Sequence, residues 1–340
     1  MFVSNGEVFF ADSDNHRVRK VLRNGQIVTI CGTGIGGYNG DDQPATKAQL
    51  KSPQCVFVSR QNEVYISESN GHRIRKILRN GNIVTVAGTG VSGYNGDNVP
   101  ATSAQLHSPY GIYVSDEGDE FYIADTHNSC IRKVLKDGNI TTVAKSFKTP
   151  IGVFVVRNEV YVCDQMGQCI KKIDSNGVIT IIAGTGILGS NDSDLATQCQ
   201  LHYPSGIFVT EQQEVFIADL YNHCVRKVLT NGKIITIAGT GEYRGDIIDH
   251  KPATSAIVHG PYNIFVDKQD IYIAEALGNR IRKIDGNGII TTIVGSVEGK
   301  KGYSGDVPFD FQKYPHIGPK NIPLIKPFPK AYHDMIIHVH

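Results

Sequence analysis

The chain has no tryptophan, three methionines and almost no net charge, with 34 basic residues against 33 acidic ones over 340 positions. A formal charge of +1 creates no bulk field that would draw the molecule to nucleic acid or to an anionic membrane surface. No stretch reaches about eighteen consecutive apolar residues, so membrane insertion is not expected. Cysteine is sparse and odd in number: the seven (Cys31, Cys55, Cys130, Cys163, Cys169, Cys199 and Cys224) show no C-x-x-C pair and no disulfide framework. Cys130, Cys169 and Cys224 fall at one repeated position, where Arg17, Arg73 and Arg280 stand in other copies, so these thiols are not placed to meet. Free, mostly buried thiols are the plain expectation, with a weak lean toward a reducing, cytoplasmic compartment. The first residues do not read as a signal peptide, yet Met1-Phe2-Val3 matches the interior of an apolar strand in other copies. The sequence is therefore expected to begin inside a domain, which leaves the compartment open.

Glycine is plentiful at 36 residues, and it punctuates a repeat. The run EVYISESNGHRIRKILRNGNIVTVAGTGVSGYNGDNVPATSAQLHSP from Glu63 to Pro109 recurs from Glu7 as EVFFADSDNHRVRKVLRNGQIVTICGTGIGGYNGDDQPATKAQLKSP. Acidic anchors at Glu7, Glu63, Glu120, Glu159, Glu214 and Asp270 are 56, 57, 39, 55 and 56 residues apart. Within each unit, short runs of β-branched and aromatic residues alternate with Asn-Gly, Asp-Gly or Gly-Asn links, the chemistry of hairpins. In one copy the strands read Gly111 to Val114, Phe121 to Asp125, Ile131 to Leu135 and Ile140 to Ala144. Four antiparallel strands repeated at this period match propeller blades, and six anchors give an all-β, six-bladed β-propeller.

The propeller is expected over residues 1–306. A segment rich in proline follows over 307–340, ending in Met335-Ile336-Ile337-His338-Val339-His340, which could supply the inner strand that the first blade lacks. Most units carry Gly-Thr-Gly after the fourth strand, then a Gly-rich loop and a Pro-Ala-Thr piece that reads as one helical turn. Unit 3 omits this insertion and is about seventeen residues shorter, 39 against 56. Antiparallel order puts the insertions and the turns between second and third strands on one face, where loops usually carry function.

The turn Asp12-Ser13-Asp14-Asn15-His16-Arg17-Val18-Arg19-Lys20, set between Pro-x-Gly-Ile-x-Val and Ile-x-Thr-x-Ala-Gly-Thr-Gly patterns, resembles the NHL repeat. The resemblance covers about residues 1–306, and the GYNGD…PAT…AQL insertion is similar to the long-loop variety. It implies a six-bladed propeller of a kind used mostly to bind proteins, sometimes RNA, and in a few relatives to hold a lyase active site. Asn128-Ser129-Cys130, Gly167-Gln168-Cys169 and Gly278-Asn279-Arg280 depart from the Asn-His-Arg pattern.

Several constellations compete as sites. An acidic residue closes every second strand (Asp12, Glu68, Asp125, Asp164, Asp219, Glu275), and its presence in all six copies favours a structural cap over catalysis. His107, His202 and His259 each lie just before the proline of an inner strand, where three imidazoles would suit zinc, but Lys51 and Thr149 interrupt the set. No metal, cofactor or catalytic residue is therefore expected. The loop acids Asp41, Asp42, Asp97, Asp192, Asp194, Asp246 and Asp306 lack calcium-loop spacing. Paired basic residues in every third strand alternate in direction, and no aromatics are interleaved for base stacking, so nucleic acid is not an expected partner.

Tyr38, Tyr94, Tyr243 and Tyr303 on the loops, with Asn39 and Asn95 beside the first two, are the preferred binding candidates. Tyr110, Tyr262 and the three histidines add a second group at the channel mouth. The expectation is a monomeric, non-enzymatic scaffold that binds a protein or peptide on the long-loop face. A metal-dependent lyase or hydrolase at the channel mouth and an RNA-binding propeller are the alternatives.

Overall fold

Each repeat unit cannot bury its own apolar faces, because both sides of its sheet carry hydrophobic side chains, and it must therefore be sandwiched between copies of itself. The computed structural model describes residues 1–191 and 193–295, in which six antiparallel sheets follow chain order. Blade 1 comprises Phe2–Ser4, Glu7–Asp12, Arg17–Val21 and Ile27–Cys31, and blade 2 Pro53–Val58, Val64–Glu68, Arg73–Ile77 and Asn82–Ala87. Blades 3 to 6 repeat this order and begin at Pro109, Pro150, Pro204 and Pro261. Six apolar clusters fill the gaps between neighbouring blades, one in each gap, including one between blade 6 and blade 1 built from Val3, Phe10, Tyr272 and Ile281.

One aromatic ring from each inner strand closes the circle. Phe2, Phe57, Tyr113, Phe154, Phe208 and Phe265 contact in sequence, with ring centroids 4.6–5.4 Å apart, and Phe265 returns to Phe2 at 4.6 Å. The five phenylalanine rings line a cavity between the inner strands of only about 60 Å³. That volume suits a few water molecules, not an organic ligand. Inner strands approach so closely here that side chains are excluded from some positions. A Cβ on Gly111 would lie 2.6 Å from the carbonyl oxygen of Ile151, and one on Gly206 would lie 2.6 Å from the Cα of Asn263.

The inner strand of blade 1 has three residues where the others have six or seven. It pairs Phe2 with Phe9 and Ser4 with Glu7. The expected closing strand, the segment 307–340, and the loop residues Asp192, Tyr303 and Asp306 lie outside the described residues. No helix among the described residues is long and apolar enough to cross a membrane.

The acidic anchors have a cross-strand role. Each pairs with the second basic residue of the third strand: Lys20–Glu7, Lys76–Glu63, Lys133–Glu120, Lys172–Glu159, Lys227–Glu214 and Lys283–Asp270, all at 2.6–3.1 Å. Five of these ammonium groups also lie 5.1–5.7 Å from the ring on the adjacent strand, as Lys76 does over Tyr65. The other basic residue of each pair points inward, where Arg19, Arg75, Arg132 and Arg282 are completely buried. The twelve basic side chains thus split between two internal ladders.

The insertion after each fourth strand is not one loop but two parts with different fates. Its second part leaves the face and enters the gap between outer strands. Gln43–Pro44 pairs with Asn82 and Ile83 as a fifth strand of blade 2, Val99–Pro100 does the same for blade 3, and Lys251–Pro252 for blade 6. The Pro-Ala-Thr helical turn is a short 3-10 turn at Ala45–Lys47 and its equivalents, and Ala45, Ala48 and Leu50 are buried in the cluster between blades 1 and 2. Among the described residues blades 1, 4 and 5 have four strands; at blade 4 unit 3 replaces the insertion with Lys145 to Thr149, and at blade 5 the insertion makes only the bridge Leu195 to Lys233.

Candidate functional site

The ring of buried carboxylates holds the scaffold. Five of the six accept a backbone N–H at the start of their own blade's inner strand: Glu68 from Lys51 (3.0 Å), Asp125 from His107 (2.7 Å), Asp164 from Thr149 (2.8 Å), Asp219 from His202 (2.7 Å) and Glu275 from His259 (3.1 Å). On the other side stands the inward base of the third strand, with Arg19–Asp12, Arg75–Glu68, Arg132–Asp125 and Arg282–Glu275 separated by 3.6–3.8 Å. Burial pushes Asp12 and Asp125 up to about 6 and Glu68 to about 7, against the pull of these donors. Such groups, each engaged within its own blade, are not arranged for a shared reaction.

Over blades 2, 3 and 6 the first part of the insertion lies on the next blade, and an aspartate fastens it. Asp41 accepts from Arg75 Nη2 (2.8 Å) and Thr85 Oγ1 (3.1 Å); Asp97 accepts from Arg132 (3.2 Å) and Thr142 (2.8 Å); Asp249 accepts from Arg282 (2.9 Å) and Thr292 (3.0 Å). In blades 2 and 3 a tyrosine ring is laid on the same arginine. Tyr38 stands 4.0 Å from the Arg73 guanidinium and 5.0 Å from that of Arg75; Tyr94 stands 4.7 Å from Arg132 and 4.6 Å from Lys145. The Tyr94 hydroxyl meets Thr142 Oγ1 at 3.1 Å. Asn39 and Asn95 brace the loops from within, each donating to a carbonyl (Lys47, Ser103) and accepting the N–H of Gln49 or Gln105.

The sequence-selected residues are therefore not gathered in one place. Tyr38 and Tyr94 each commit one ring face to the neighbouring blade and remain 44% and 38% exposed, while Tyr243 is 59% exposed. The three histidines sit in separate clusters between blades. His107 packs against His72 and His127, with centroids 5.8 and 4.9 Å away; His202 lies against Tyr203 and Tyr221; His259 lies 5.7 Å from Tyr243. Burial is the largest cause lowering the pKa of His72, His127, His202 and His259. Tyr110 and Tyr262 line the small cavity between the inner strands.

The six-fold pattern breaks over blade 5. Ser190 replaces the loop tyrosine, and Cys224 occupies the position of Arg73. Both large groups that cover blade 2 are missing together, and a pocket of about 840 Å³ opens on the long-loop face. Arg226, Thr236, Tyr221 and His202 line it with Ser190 and the Gly239–Glu242 segment. The glycines register the missing arginine in blades 4 and 5 alike: a Cβ on Gly90 would lie 2.1 Å from the Arg73 guanidinium, whereas one on Gly241 or Gly186 meets nothing nearer than a backbone oxygen at 3.7 Å. Half of the twelve exposed large apolar side chains among the described residues (Val178, Ile181, Ile187, Leu188, Leu195, Ile235) also belong to blades 4 and 5 or the insertion between them. None of the pocket residues other than His202 stands out in a single repeat; they emerge only when the insertions are aligned and Ser190 is set against Tyr38 and Tyr94.

No family model matches the chain. Among curated proteins it is similar to NHL repeat-containing protein 2 of Bos taurus, 25% identical over 314 residues, which covers 83% of this chain and 38% of that protein. It is also similar to the chloroplastic protein Suppressor of quenching 1 of Arabidopsis thaliana, 29% identical over 290 residues, covering 82% of this chain and 24% of the relative. The chain therefore spans about two-fifths or less of the length of these relatives. The repeat motifs, the six blades and the relatives that carry the repeat in their name agree. This is a six-bladed propeller whose repeats are similar to the NHL repeat. The fold is shared by a streptogramin B lyase structure, with a TM-score of 0.54, 17% identity, and coverage of 85% of this chain and 80% of that one.

In this propeller the motif's histidine is a staple between blades. His16, His72 and His223 all adopt left-handed backbone with φ of 50–51°, and their Nδ1 atoms accept the N–H of Ser52, Ser108 and Gly260, the residue before the next blade's first proline, at 3.1–3.2 Å. Where the motif departs, Gln168 does the same with its side-chain oxygen, accepting the N–H of Tyr203 at 2.7 Å. The motif's asparagine donates to the buried carboxylate, with Asn15–Asp12, Asn128–Asp125 and Asn222–Asp219 all at 2.8 Å. These motif residues are explained by blade assembly.

Proposed function

We propose that the propeller binds a protein or peptide partner on its long-loop face, in the sector of blades 4 and 5. The observation that carries this reading is the local loss of symmetry. The same insertion that seals blades 2 and 3 leaves an open pocket over blade 5, where it makes a single bridge, Leu195 to Lys233, instead of a fifth strand. Repeated features serve the fold, and a recognition site requires something one copy has alone. Exposed Ile187 and Leu188 flank Ser190, so an apolar shoulder adjoins the polar pocket, the mixture typical of a binding patch with an anchoring hole. The pairing of the third-strand lysines with acidic anchors supports a polypeptide over a nucleic acid, because those charges are already matched within each blade. A cavity of about 60 Å³ between the inner strands gives little support to an organic substrate at the channel mouth.

Selection from a displayed random-peptide library on the purified chain tests the reading. Enriched peptides should bind the parent chain and lose at least tenfold in affinity to an Ile187→Asp/Leu188→Asp variant. They should retain affinity for Lys136→Glu on the opposite rim. Peptides that depend on the Lys136 side, or a selection that enriches nothing, would overturn it.

A further inference from the structure

The pocket over blade 5 has two occupied counterparts in the same molecule, and they state what it is shaped to receive. Over blade 3 the space is filled by the Tyr94 ring, face-on to the Arg132 guanidinium at 4.7 Å, with its hydroxyl on Thr142 Oγ1 at 3.1 Å. Arg226 and Thr236 stand in blade 5 where Arg132 and Thr142 stand in blade 3, opposite each other in the same register. Two contacts of the blade 3 site change: Ser190 stands in place of Tyr94, and Gly239 in place of Lys145, whose ammonium lies 4.6 Å from the Tyr94 ring. Relative to blade 2 the pocket is also widened by Cys224 in place of Arg73. We infer that this pocket takes a tyrosine side chain of an extended peptide partner, held as the chain holds its own Tyr94. The inference rests on the peptide-binding reading above and adds the identity of the anchoring residue.

A neutral phenol fits better than an anion. Asp219 adjoins the site through Asn222, which donates to it at 2.8 Å, and the equivalent carboxylates lie 3.6–3.8 Å from the arginines of blades 1, 2, 3 and 6. Glu242 adds a further negative charge at the pocket wall. A phosphate or carboxylate ligand would enter beside these groups, whereas an aromatic ring uses the guanidinium face and needs no new charge neutralised. The volume of about 840 Å³ exceeds one phenol and leaves room for the flanking backbone.

The probe is the peptide acetyl-Ser-Gly-Tyr-Asn-Gly-amide, the chain's own sequence at 92–96, observed by saturation-transfer NMR on the intact chain. Its ring protons should receive saturation from the protein. The phenylalanine analogue should bind three- to tenfold more weakly, and the alanine analogue should give no signal above background. Ser190→Tyr, which supplies the ring in cis, should abolish the transfer while leaving the melting temperature at or above that of the parent. If that variant fails to fold, Cys224→Arg restores the other covering group, an arginine that blades 1, 2 and 6 carry at this position, and should reduce binding likewise. Transfer that survives a folded plugging variant, or that is equal for the alanine peptide, refutes the tyrosine pocket. Tighter binding of a phosphotyrosine peptide would also refute it, since that marks an anion site. Library-selected peptides that still bind Ser190→Tyr with unchanged affinity, yet lose affinity to Ile187→Asp/Leu188→Asp, would sink this inference alone and leave the binding face intact.

Discussion

The staple between blades makes assembly sensitive to acid at a defined residue. The Nδ1 of His223 accepts the Gly260 N–H at 3.1 Å, and it can do so only as neutral imidazole. Burial, together with repulsion from His259 and His202, lowers its pKa from 6.5 to about 4. A histidine whose folded pKa lies below its unfolded value leaves stability unaffected above the unfolded pKa. It loses stability as pH falls from about 6.5 toward 4, because only the unfolded chain takes up the proton. At pH 5 the loss is about 2 kcal/mol, which for a domain of this size corresponds to a melting shift of about 3–4 °C. His223→Gln removes the titration but keeps the acceptor, since Gln168 already performs this role in blade 4. Melting temperatures of both proteins, read by differential scanning calorimetry between pH 7.5 and 5, should nearly coincide at pH 7.5, with the variant about 3–4 °C the more stable at pH 5. All other titrating groups are common to the pair, so the difference reads His223 together with its coupling to His259 and His202. Parallel curves, or a variant already several degrees lower at pH 7.5, would refute the staple.

Three further outcomes follow from the packing. Leu106, fully buried in the second part of an insertion, should cost about 2–5 kcal/mol when replaced by alanine, whereas Val91→Ala in the exposed first part should stay within about 0.5 kcal/mol; urea titrations of both variants check the contrast. Gly206→Ala should destabilise by about 1–3 kcal/mol, since its Cβ would meet backbone of blade 6 at 2.6–3.0 Å with no flexible side chain to yield. Asp97→Ala leaves the buried Arg132 with one carboxylate fewer and frees Tyr94 of its bracing loop, so proteolysis within 88–98 should accelerate while the melting temperature falls by a few degrees.

The architecture was readable from the sequence because each unit spells its strands locally. The runs at Phe121–Asp125 and Asn139–Ala144 alternate with Gly-containing links, and the acidic anchors mark the period. The sorting of loops by face follows from antiparallel order alone. The insertions were harder to read. Nothing in Gln43-Pro44 or Val99-Pro100 announces a strand of two residues, since its partner is the outer strand of another unit forty residues on. Ala45, Ala48 and Leu50 are likewise core because of what faces them, not because of a local pattern. The pocket was least legible, as it arises from substitutions to small residues: Ser190 and Cys224 carry no motif, and their meaning lies in the ring and the guanidinium that other copies place there. The histidines and carboxylates that do carry a motif turned out to fasten blades.

The central claim is that recognition belongs to the sector of blades 4 and 5, where the rings that cover blades 2 and 3 have no counterpart. Amide hydrogen exchange, measured on the chain with and without a saturating library-selected peptide, tests it most directly. The account predicts slowed exchange in 187–195, 221–224 and 239–243, with segments 33–40 and 89–96 unchanged. Protection spread equally over all the Gly-rich loops, or confined to the hairpins of the opposite rim, would contradict it.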